Sequence, residues 1–430
     1  MTHEGRPADS LVGGSSVVDR REFVRLSTVM AAGLGSRHSW GEGANEPLPN
    51  MDGPGVDSSG GEERSVSLFL CGDVMTGRGL DQVLPHRSDP TLFERHITSA
   101  ELYVRLAEEV NGPISRPVSF SYPWGVALDE LERAAPDVRI INLETSVTTS
   151  DDWVSKGINY RMHPGNVECL TVAKIDCCVL ANNHVLDWGR SGLLETLDTL
   201  RRAELKTAGA GRNIFEANAP AVMKIPGHGR VFVFSFGWVT SGIPGDWAAT
   251  EKRAGVNLLP DLSAGTVRRV ARQIRELCQP SDVVVASIHW GPNWGYDIPR
   301  GQRRFAHALV DDAGVDVVHG HSSHHVKGIE IHNGRPILYG CGDFLTDYEG
   351  IRGYEEFRDD LTLMYFVSID PVDRAAVSLR LTPLQIKRFK LNRPSKEDVS
   401  WIHGVLQREC GRLDTRVELR PDHRFEVWAK

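Results

Sequence analysis

From residue 65 onward, short apolar segments rich in β-branched residues alternate with segments of helical periodicity, and this alternation constrains the fold more than any other feature. Several of the apolar segments have no polar face, which is typical of strands buried between layers. Alternating strands and helices indicate an α/β layered domain of about 300 residues. The predicted strands are residues 65–71, 138–142, 176–180, 231–236, 283–288, 315–318, 328–332, 336–339 and 361–369. The predicted helices are residues 192–203, 262–278 and 302–313.

Residues 1–64 differ in composition from the rest of the chain. Arg20 and Arg21 precede Phe23 and a short apolar run, a pattern typical of a twin-arginine export signal. Residues 35–64 are rich in Gly, Ser, Pro, Asp and Glu, and such a segment buries too little apolar surface to fold. We therefore predict a twin-arginine-like segment, a disordered linker and an extracytoplasmic protein. The apolar run lacks a clear cleavage site, so a disordered tail on a cytoplasmic protein is the alternative.

The domain boundaries and the excluded classes of protein follow from periodicity and charge. Residues 65–390 are predicted to form the folded domain, and residues 391–430 a C-terminal extension packed on it, with a helix at 397–406 and a strand at 424–428. The 49 Lys and Arg residues against 57 Asp and Glu give a net charge of −8, which argues against nucleic acid as a partner. No apolar stretch approaches the roughly 18 residues that cross a bilayer. The seven cysteines form no C-x-x-C pair and are predicted to be buried free thiols.

Polar residues with ligand chemistry follow five of the predicted strands. Asp73, Glu144 and His289 each stand at or just after the end of a strand, and Asn183 with His184 follows another. Ligand sites of α/β proteins lie at the carboxyl ends of strands, so these side chains are expected to meet. The fifth strand is followed by four histidines within seven residues, His319, His321, His324 and His325.

Each of these residues also has a structural explanation when it is taken alone. A Gly-Asp pair is common in turns, a buried Glu can pair with Arg, Asn can cap a helix, and a strand-end His is often a satisfied core residue. Coincidence at five strand ends is a weaker explanation than one shared site. Oxygen and imidazole ligands without cysteine favour a hydrolytic or Lewis-acid metal centre over a structural zinc site.

The order of these motifs resembles that of a known family. The motifs are Gly-Asp at 72–73, Asn-Leu-Glu at 142–144, Asn-Asn-His at 182–184, His-Trp-Gly at 289–291 and Gly-His-x-x-His at 320–324. They resemble the bacterial CapA/PgsA family of poly-γ-glutamate capsule synthesis proteins over about residues 66–370. That family is similar to the calcineurin-like metallophosphoesterases. The resemblance implies a four-layer α-β-β-α sandwich that binds one or two divalent metal ions, such as Mn, Zn or Fe.

The resemblance also implies a set of metal ligands. They are Asp73 for one metal, Glu144 in the bridging position, Asn183 and His289 for the second metal, and His321 and His324 from the last motif. The metallophosphoesterase Asp-x-His is Asp73-Val74-Met75 in this chain, so one ligand is missing. Either His319 or His325 could supply it.

Catalytic and substrate-binding candidates complete the predicted site. The resemblance implies that His184 transfers a proton or steadies the reacting oxygen. Asp343 replaces the family's Asn and adds an acid or ligand, and His325 is a further catalytic candidate. Cationic and aromatic side chains near the motifs could hold a carboxylate or phosphate, or could be surface charges and packing residues. These substrate-binding candidates are Arg78, Tyr160, Arg161, Trp290 and Lys327.

Four functions are compatible with these features. The first is a metal-dependent enzyme acting on an amide or ester of poly-γ-glutamate or of a cell-wall or capsule peptide, through a metal-activated water or a metal-polarised carbonyl with His184 in proton transfer. The second is a metal-dependent, cofactor-independent epimerase of a ribosomal peptide, which favours a cytoplasmic protein. The third is a phosphoesterase, and the fourth is a non-catalytic accessory subunit of capsule synthesis. Association with the capsule machinery or the membrane surface is expected for the first and fourth.

Overall fold

The computed structural model describes residues 65–227, 229–370 and 372–430. The twin-arginine-like segment and linker predicted at residues 1–64 lie outside the described residues. The described chain is a mixed α/β fold with two large sheets. Within it, no helix is both long enough and apolar enough to cross a membrane.

The first large sheet has ten strands. Numbered along the chain, they are β1 (Val66–Val74), β2 (Val138–Leu143), β5 (Cys177–Val179), β6 (Lys206–Ala208), β15 (Asp343–Leu345), β16 (Leu361–Ile369), β17 (Ala376–Ile386), β18 (Leu391–Asn392), β19 (Thr415–Leu419) and β20 (Phe425–Ala429). The strands β1, β2, β5 and β6 pair in parallel in that order, and β15 runs parallel to the end of β1. On the other side of β1, antiparallel pairing adds β16, β17, β20 and β19.

The second large sheet has six strands. They are β8 (Ala221–Ile225), β9 (Gly229–Gly237), β11 (Val283–His289), β12 (Val317–His321), β13 (Ile329–His332) and β14 (Arg335–Leu338). The four inner strands are parallel, and β8 and β13 are antiparallel edges. Two further two-stranded sheets pair β3 (Ser146–Val147) with β4 (Arg161–Met162) and β7 (Ala210–Gly211) with β10 (Gly255–Val256).

The α-helices connect the strands and begin where the sequence provides caps. They are α1 (Gly79–Val83), α2 (Glu101–Asn111), α3 (Ala127–Ala134), α4 (Glu168–Thr171), α5 (Gly189–Arg202), α6 (Ile214–Asn218), α7 (Ala264–Leu277), α8 (Arg300–Asp311) and α9 (Lys396–Gly411). At the start of α9, Ser395 and Asp398 form a capping box, in which each side chain accepts from the other residue's backbone N–H.

Three buried clusters explain why the sequence forms these elements. One contains apolar residues from both large sheets, a second joins the first sheet to α1, α3, α4 and α5, and a third joins the second sheet to α7 and α8. In β1, Leu68 and Leu70 belong to the shared cluster, whereas Phe69 and Cys71 belong to the cluster on the helix side. The strand is therefore buried on both faces, as its lack of a polar face predicts.

The predicted strands and helices of the central region are confirmed to within a few residues at their ends. Among the elements of five or more residues, the prediction omitted β8, β17, β19, α1, α2, α3 and α6. The segment 391–430 contains β18, α9, β19 and β20, and β20 pairs with β17, so this segment belongs to the first sheet. All seven cysteines are free, and Cys278 is the one that is half-buried rather than buried.

Candidate metal centre

Parallel pairing brings the predicted site residues to one level at the ends of both large sheets. Asp73 on β1 is in register with Asn142 on β2, and His289 on β11 is in register with His321 on β12. The two sheets are joined at this level by a hydrogen bond of 2.7 Å from Nε2 of His319 to the backbone oxygen of Cys71. The carboxyl ends of strands from both sheets thus form a single site.

Backbone shape at two positions allows the strands to approach this closely. A side chain at Gly72 would lie 1.7 Å from the backbone oxygen of Gly342, which accepts a 2.9 Å hydrogen bond from the Asp73 N–H. Ser322 has a φ of 105°, a conformation that favours glycine. Its N–H donates to Oδ2 of Asp73 at 3.2 Å and its hydroxyl donates to the oxygen of Gly291. Backbone strain is therefore located at the site itself.

Three buried side chains present ligand atoms to one point. One ligand atom from each of Asp73, His289 and His321 lies within 4.8 Å of the other two. The Nδ1 atoms of His289 and His321 are 2.8 Å apart, and Oδ1 of Asp73 is 3.9 Å from Nδ1 of His321. Nε2 of His289 also lies 3.7 Å from Oε1 of Glu144 and 2.9 Å from Oδ1 of Asn183.

A chain of hydrogen bonds fixes the proton position on His321. The oxygen of Cys71 can only accept, so His319 carries its proton on Nε2, and Nδ1 accepts from the Ser287 hydroxyl at 3.0 Å. The Ser287 oxygen must then accept from Nε2 of His321, at 2.9 Å. Nδ1 of His321 is consequently a bare lone pair.

His289 is fixed in the same way from the other side. Its Nε2 faces the acceptor Oδ1 of Asn183 and carries the proton, so its Nδ1 is also a bare lone pair. Two lone pairs 2.8 Å apart repel unless a cation lies between them or beside them. Burial, and then the neighbouring histidines, hold the pKa of both imidazoles well below the usual range, which disfavours a proton in that place. A metal ion satisfies the same lone pairs without protonation.

The carboxylates of the site also require a cation. Burial, and then the charge of Asp343, raises the pKa of Asp73 to about 7. Burial, and then Asp73, raises the pKa of Glu144 well above its usual range, with Lys156 acting in the opposite direction. Asn142 donates one Nδ2 group to both, at 2.8 Å to Asp73 and 3.2 Å to Glu144. Carboxylates and neutral imidazoles in one buried cluster are a donor set that fits a divalent metal ion.

His184 lies beside this cluster with its own partner. Its Nδ1 donates to Oδ2 of Asp187 at 2.6 Å, so Nε2 is the lone pair, 3.8 Å from Oε1 of Glu144. Lys156 forms an ion pair of 2.7 Å with Oδ1 of Asp187 and donates to the backbone oxygen of Asn183. Burial lowers the pKa of His184 to about 4, against the charge of Asp187, so the ring is neutral and its Nε2 can accept a proton.

The remaining predicted ligands take other partners. Nδ1 of His324 lies 2.8 Å from Oδ1 of Asp343, and its Nε2 lies 2.9 Å from Nδ2 of Asn293. Asp343 is paired in register with Asp73 through β15 and β1.

The two candidates for the missing ligand, His319 and His325, also lie elsewhere. His319 uses both nitrogens in hydrogen bonds, to Ser287 and to the backbone oxygen of Cys71. His325 packs against the rings of Tyr296 and Phe357, with Nδ1 facing the oxygen of Val326. Neither candidate for the missing ligand joins the three converging side chains.

The predicted substrate-binding residues are all buried. Arg78 donates to Asp347, Glu94, Tyr103 and Tyr160, and the ring of Tyr160 in turn lies edge-on to His184 at 4.6 Å. Arg78 is thus linked to His184 through Tyr160, and its role in substrate binding stays a prediction.

The other three candidates are likewise engaged within the protein. Arg161 donates to the oxygen of Ser150 and lies 3.8 Å from the ring of Trp188. Trp290 donates to the oxygen of Tyr339, and Lys327 donates to the oxygen of Asp297. Burial lowers the pKa of Lys327 to about 8. All three side chains thus have partners within the protein, and their role in substrate binding stays a prediction.

The sequence prediction gave no role to four residues that the site uses. Asn142 links the two carboxylates, Ser287 fixes the tautomer of His321, and Asp187 with Lys156 fixes His184. Asn142 on β2 stands two residues before Glu144, which directly follows that strand, and Ser287 stands two residues before His289 on β11. The alternation of side chains in a strand places such pairs on one face, and this signal could have identified them.

The fold and the site together define an α/β protein with a buried cluster of carboxylates and imidazoles at strand ends, a candidate metalloprotein. The chain belongs to the family described as bacterial capsule synthesis protein PGA_cap, which matches residues 67–348. The match spans every residue of the candidate centre.

Two relatives and one solved structure are similar to this chain. A probable polyglutamine synthesis accessory protein of Mycobacterium tuberculosis is 46% identical over 364 residues, which cover 84% of this chain and 96% of that protein. The capsule biosynthesis protein CapA of Bacillus anthracis is 23% identical over 378 residues, covering 85% of this chain and 80% of that protein. A solved structure of a phosphatase from Mycoplasma pneumoniae aligns with a TM-score of 0.40 at 11% identity, covering 77% of this chain and 95% of that chain. That structural similarity is too low to inform function.

Proposed function

We propose that this protein is a metal-dependent enzyme of capsule or polyglutamate synthesis that acts on an amide or ester of a peptide-like substrate. The observation that carries the proposal is the pair of bare Nδ1 atoms on His289 and His321, 2.8 Å apart beside buried carboxylates. Helices outside two large sheets support a four-layer α-β-β-α sandwich of metallophosphoesterase type as the scaffold. The relatives' names support the substrate class.

The chain's own residues divide the work in the following way. Asp73, His289 and His321 would hold the metal. Glu144 lies beside His289, and Asn183 fixes the tautomer of His289 by accepting from its Nε2. A divalent metal held there would supply Lewis acidity toward a carbonyl oxygen or a water molecule.

His184 is proposed to move the proton. Its neutral ring offers Nε2 on the side of Glu144, and Asp187 accepts from Nδ1 and so fixes the tautomer. When Nε2 accepts a proton, the imidazolium is stabilised by Asp187 and destabilised by burial and by Lys156. A proton taken from a reacting group would therefore be released readily to a leaving group.

A second candidate function is that of a non-catalytic accessory protein. The Mycobacterium tuberculosis relative is described as an accessory protein, and this description favours a supporting role within a synthesis machinery. A metal centre could then stabilise the fold or a partner interface without turnover. The two candidates differ in what His184 is needed for.

Metal analysis combined with a substrate assay tests the proposal. Protein purified without a histidine tag is expected to hold about one to two equivalents of metal by inductively coupled plasma mass spectrometry, and Asp73→Ala and His289→Ala are expected to lose it. The matched control is His96→Ala, at an exposed histidine outside the cluster. His184→Gln should keep the metal but lose release of fragments from poly-γ-glutamate and from ester analogues.

The possible outcomes separate the two candidates. Metal in the wild type with no turnover of amide or ester substrates would favour the accessory role. Absence of metal, even after reconstitution with Mn, Zn or Fe, would overturn the proposed enzyme.

A further inference from the structure

A charged groove lies on the outer face of the first sheet, away from the candidate centre. It is formed by α3, β17, the turn between β19 and β20, and the residues that precede α9. Two adjoining cavities of about 450 Å³ and about 280 Å³ share Glu130, Thr382, Asp422 and Arg424 as lining residues. No residue of the candidate centre lines either cavity.

The groove is rich in cations although the chain is acidic. Six cationic side chains line it, against three carboxylates, in a protein whose net charge is −8. The cations are Arg133, Arg380, Arg393, Lys396, Arg420 and Arg424. The carboxylates are Glu130, Asp422 and Glu426. Such a local excess of one sign concentrates ligands of the opposite sign.

One buried carboxylate holds three of the guanidinium groups together. Oε2 of Glu130 lies 2.6 Å from Arg424 and 2.7 Å from Arg133, and Oε1 lies 3.5 Å from Arg393. The Glu130 side chain is 3% exposed, whereas those of Arg133 and Arg393 are 52% and 64% exposed. Arg424 is also paired with Asp422 at 2.5 Å, so two carboxylates face three guanidinium groups. One positive charge of this cluster therefore remains unneutralised in the groove.

Two further cations have no partner among the described residues. In the part of the chain that the structure describes, neither the Arg380 guanidinium nor the Lys396 ammonium has a hydrogen bond or ion pair to another side chain, and both residues are exposed. Arg380 stands opposite Glu426 in the register of β17 and β20, but Glu426 is paired with Arg420 at 2.8 Å. Both cations are therefore available to an external anion.

From this arrangement we infer that the groove binds an acidic polypeptide through its carboxylates. Guanidinium groups bind carboxylates with two parallel hydrogen bonds, and a row of arginines suits a ligand that repeats its carboxylate. The carboxylates Asp422 and Glu426 at the rim, together with the acidic chain, disfavour a duplex nucleic acid. The choice of an acidic peptide as the ligand rests on the proposed function. The groove would give that substrate a second site of attachment.

The consequence of a second site is a gain in effective concentration. A long acidic polymer held in the groove would keep its other segments near the protein, so that each encounter with the centre becomes intramolecular. Short substrates that cannot span both sites would not benefit. The groove should thus affect binding of long polymers and leave the centre's chemistry unchanged.

Charge reversal in the groove tests the inference on the full chain. Arg380→Glu with Lys396→Glu should weaken binding of fluorescent poly-γ-glutamate by about tenfold or more in an anisotropy assay, and wild-type binding should weaken with added salt. The matched control is Arg268→Glu with Arg272→Glu, which makes the same change in net charge at exposed positions of α7. The control should change the dissociation constant less than twofold.

The outcomes distinguish the groove from the centre. Unchanged binding by the groove variant, an equal loss in the control, or tighter binding of duplex DNA than of the acidic polymer would overturn the inference. Circular dichroism and metal content equal to those of the wild type exclude misfolding as the cause of a loss. If the wild type holds no metal yet the groove variant alone loses the polymer, the proposed enzyme fails while the groove stands.

Discussion

Replacing Asp73 by Asn is expected to stabilise the metal-free protein and to destabilise the metal-loaded protein. Asp73 is fully buried, and burial followed by the charge of Asp343 raises the pKa of its carboxyl group from 3.8 to about 7. At about 1.4 kcal/mol per pH unit, its ionisation costs about 4 kcal/mol more in the folded metal-free protein than in the unfolded chain. An Asn side chain carries no charge and avoids this cost.

The pH dependence of this effect has a definite sign. A carboxyl group with a raised pKa contributes stability that is fully present below about pH 4 and is lost as the pH rises through about 7. Between about pH 5 and about pH 8, the metal-free wild type should lose about 2–3 kcal/mol that Asp73→Asn does not lose. Buried neutral histidines such as His289 act in the opposite sense. Because their pKa is lowered, they reduce stability as the pH falls below the usual pKa of histidine. They are present in both proteins and cancel in the difference.

Chemical denaturation in chelator and in excess metal, at both pH values, measures this difference. In Asp73→Asn, the NH2 group of the new side chain takes the place of Oδ2, which accepts from the Ser322 N–H in the wild type. The loss of this hydrogen bond costs about 1–2 kcal/mol at either pH. Metal at about a thousand times its Kd should stabilise the wild type by about 4 kcal/mol, which exceeds the net benefit of the variant. Asp246→Asn, at an exposed carboxylate, should show no pH-dependent difference. A difference for Asp73→Asn that does not change with pH, or that metal does not reverse, would refute the reasoning.

Three further perturbations have expected outcomes. Asp187→Asn should lower turnover of a γ-glutamyl substrate by about a hundredfold or more with the metal retained, because His184 loses the acceptor that fixes its tautomer. Enzyme kinetics and metal analysis of the same protein check this, and unchanged turnover would contradict it. Arg78→Met should lower the free energy of unfolding by about 3–5 kcal/mol in urea denaturation, because buried carboxylates lose their partner, whereas an unchanged midpoint would argue against that network. Arg20→Lys with Arg21→Lys should keep the protein in the cytoplasm on cell fractionation, and continued export would exclude the twin-arginine route.

The central strands could be predicted from sequence because their burial leaves a clear pattern. In β1 and β11 most residues are apolar, since both faces are covered. The strand β17 is different, because Arg380 and Thr382 alternate with leucines and Pro383 interrupts the run. Strands of two residues, such as β3 and β4, form because they pair with each other, and they have no sequence pattern of their own.

The site was predictable in its residue types but not in its connections. Asp73, His289 and His321 follow from their positions at strand ends, and parallel register brings them together. The sequence could not indicate that His319 would use both nitrogens in hydrogen bonds, or that His325 would pack among aromatic rings. Those outcomes depend on where a backbone oxygen or a loop from another part of the fold lies.

Metal binding and catalysis make different demands on these residues. The bare imidazole nitrogens and the buried carboxylates cost stability without a cation, so they explain a metal site whether or not the protein turns over a substrate. They do not explain His184, because its Nδ1 is already satisfied by Asp187 and its Nε2 lies 3.8 Å from Glu144. If the role of His184 were only structural, Gln could replace it. The neutral ring, held in one tautomer with its lone pair directed at the edge of the metal site, would not be needed. The contrast between metal content and turnover in His184→Gln therefore separates an enzyme from an accessory protein more directly than any variant of the ligands.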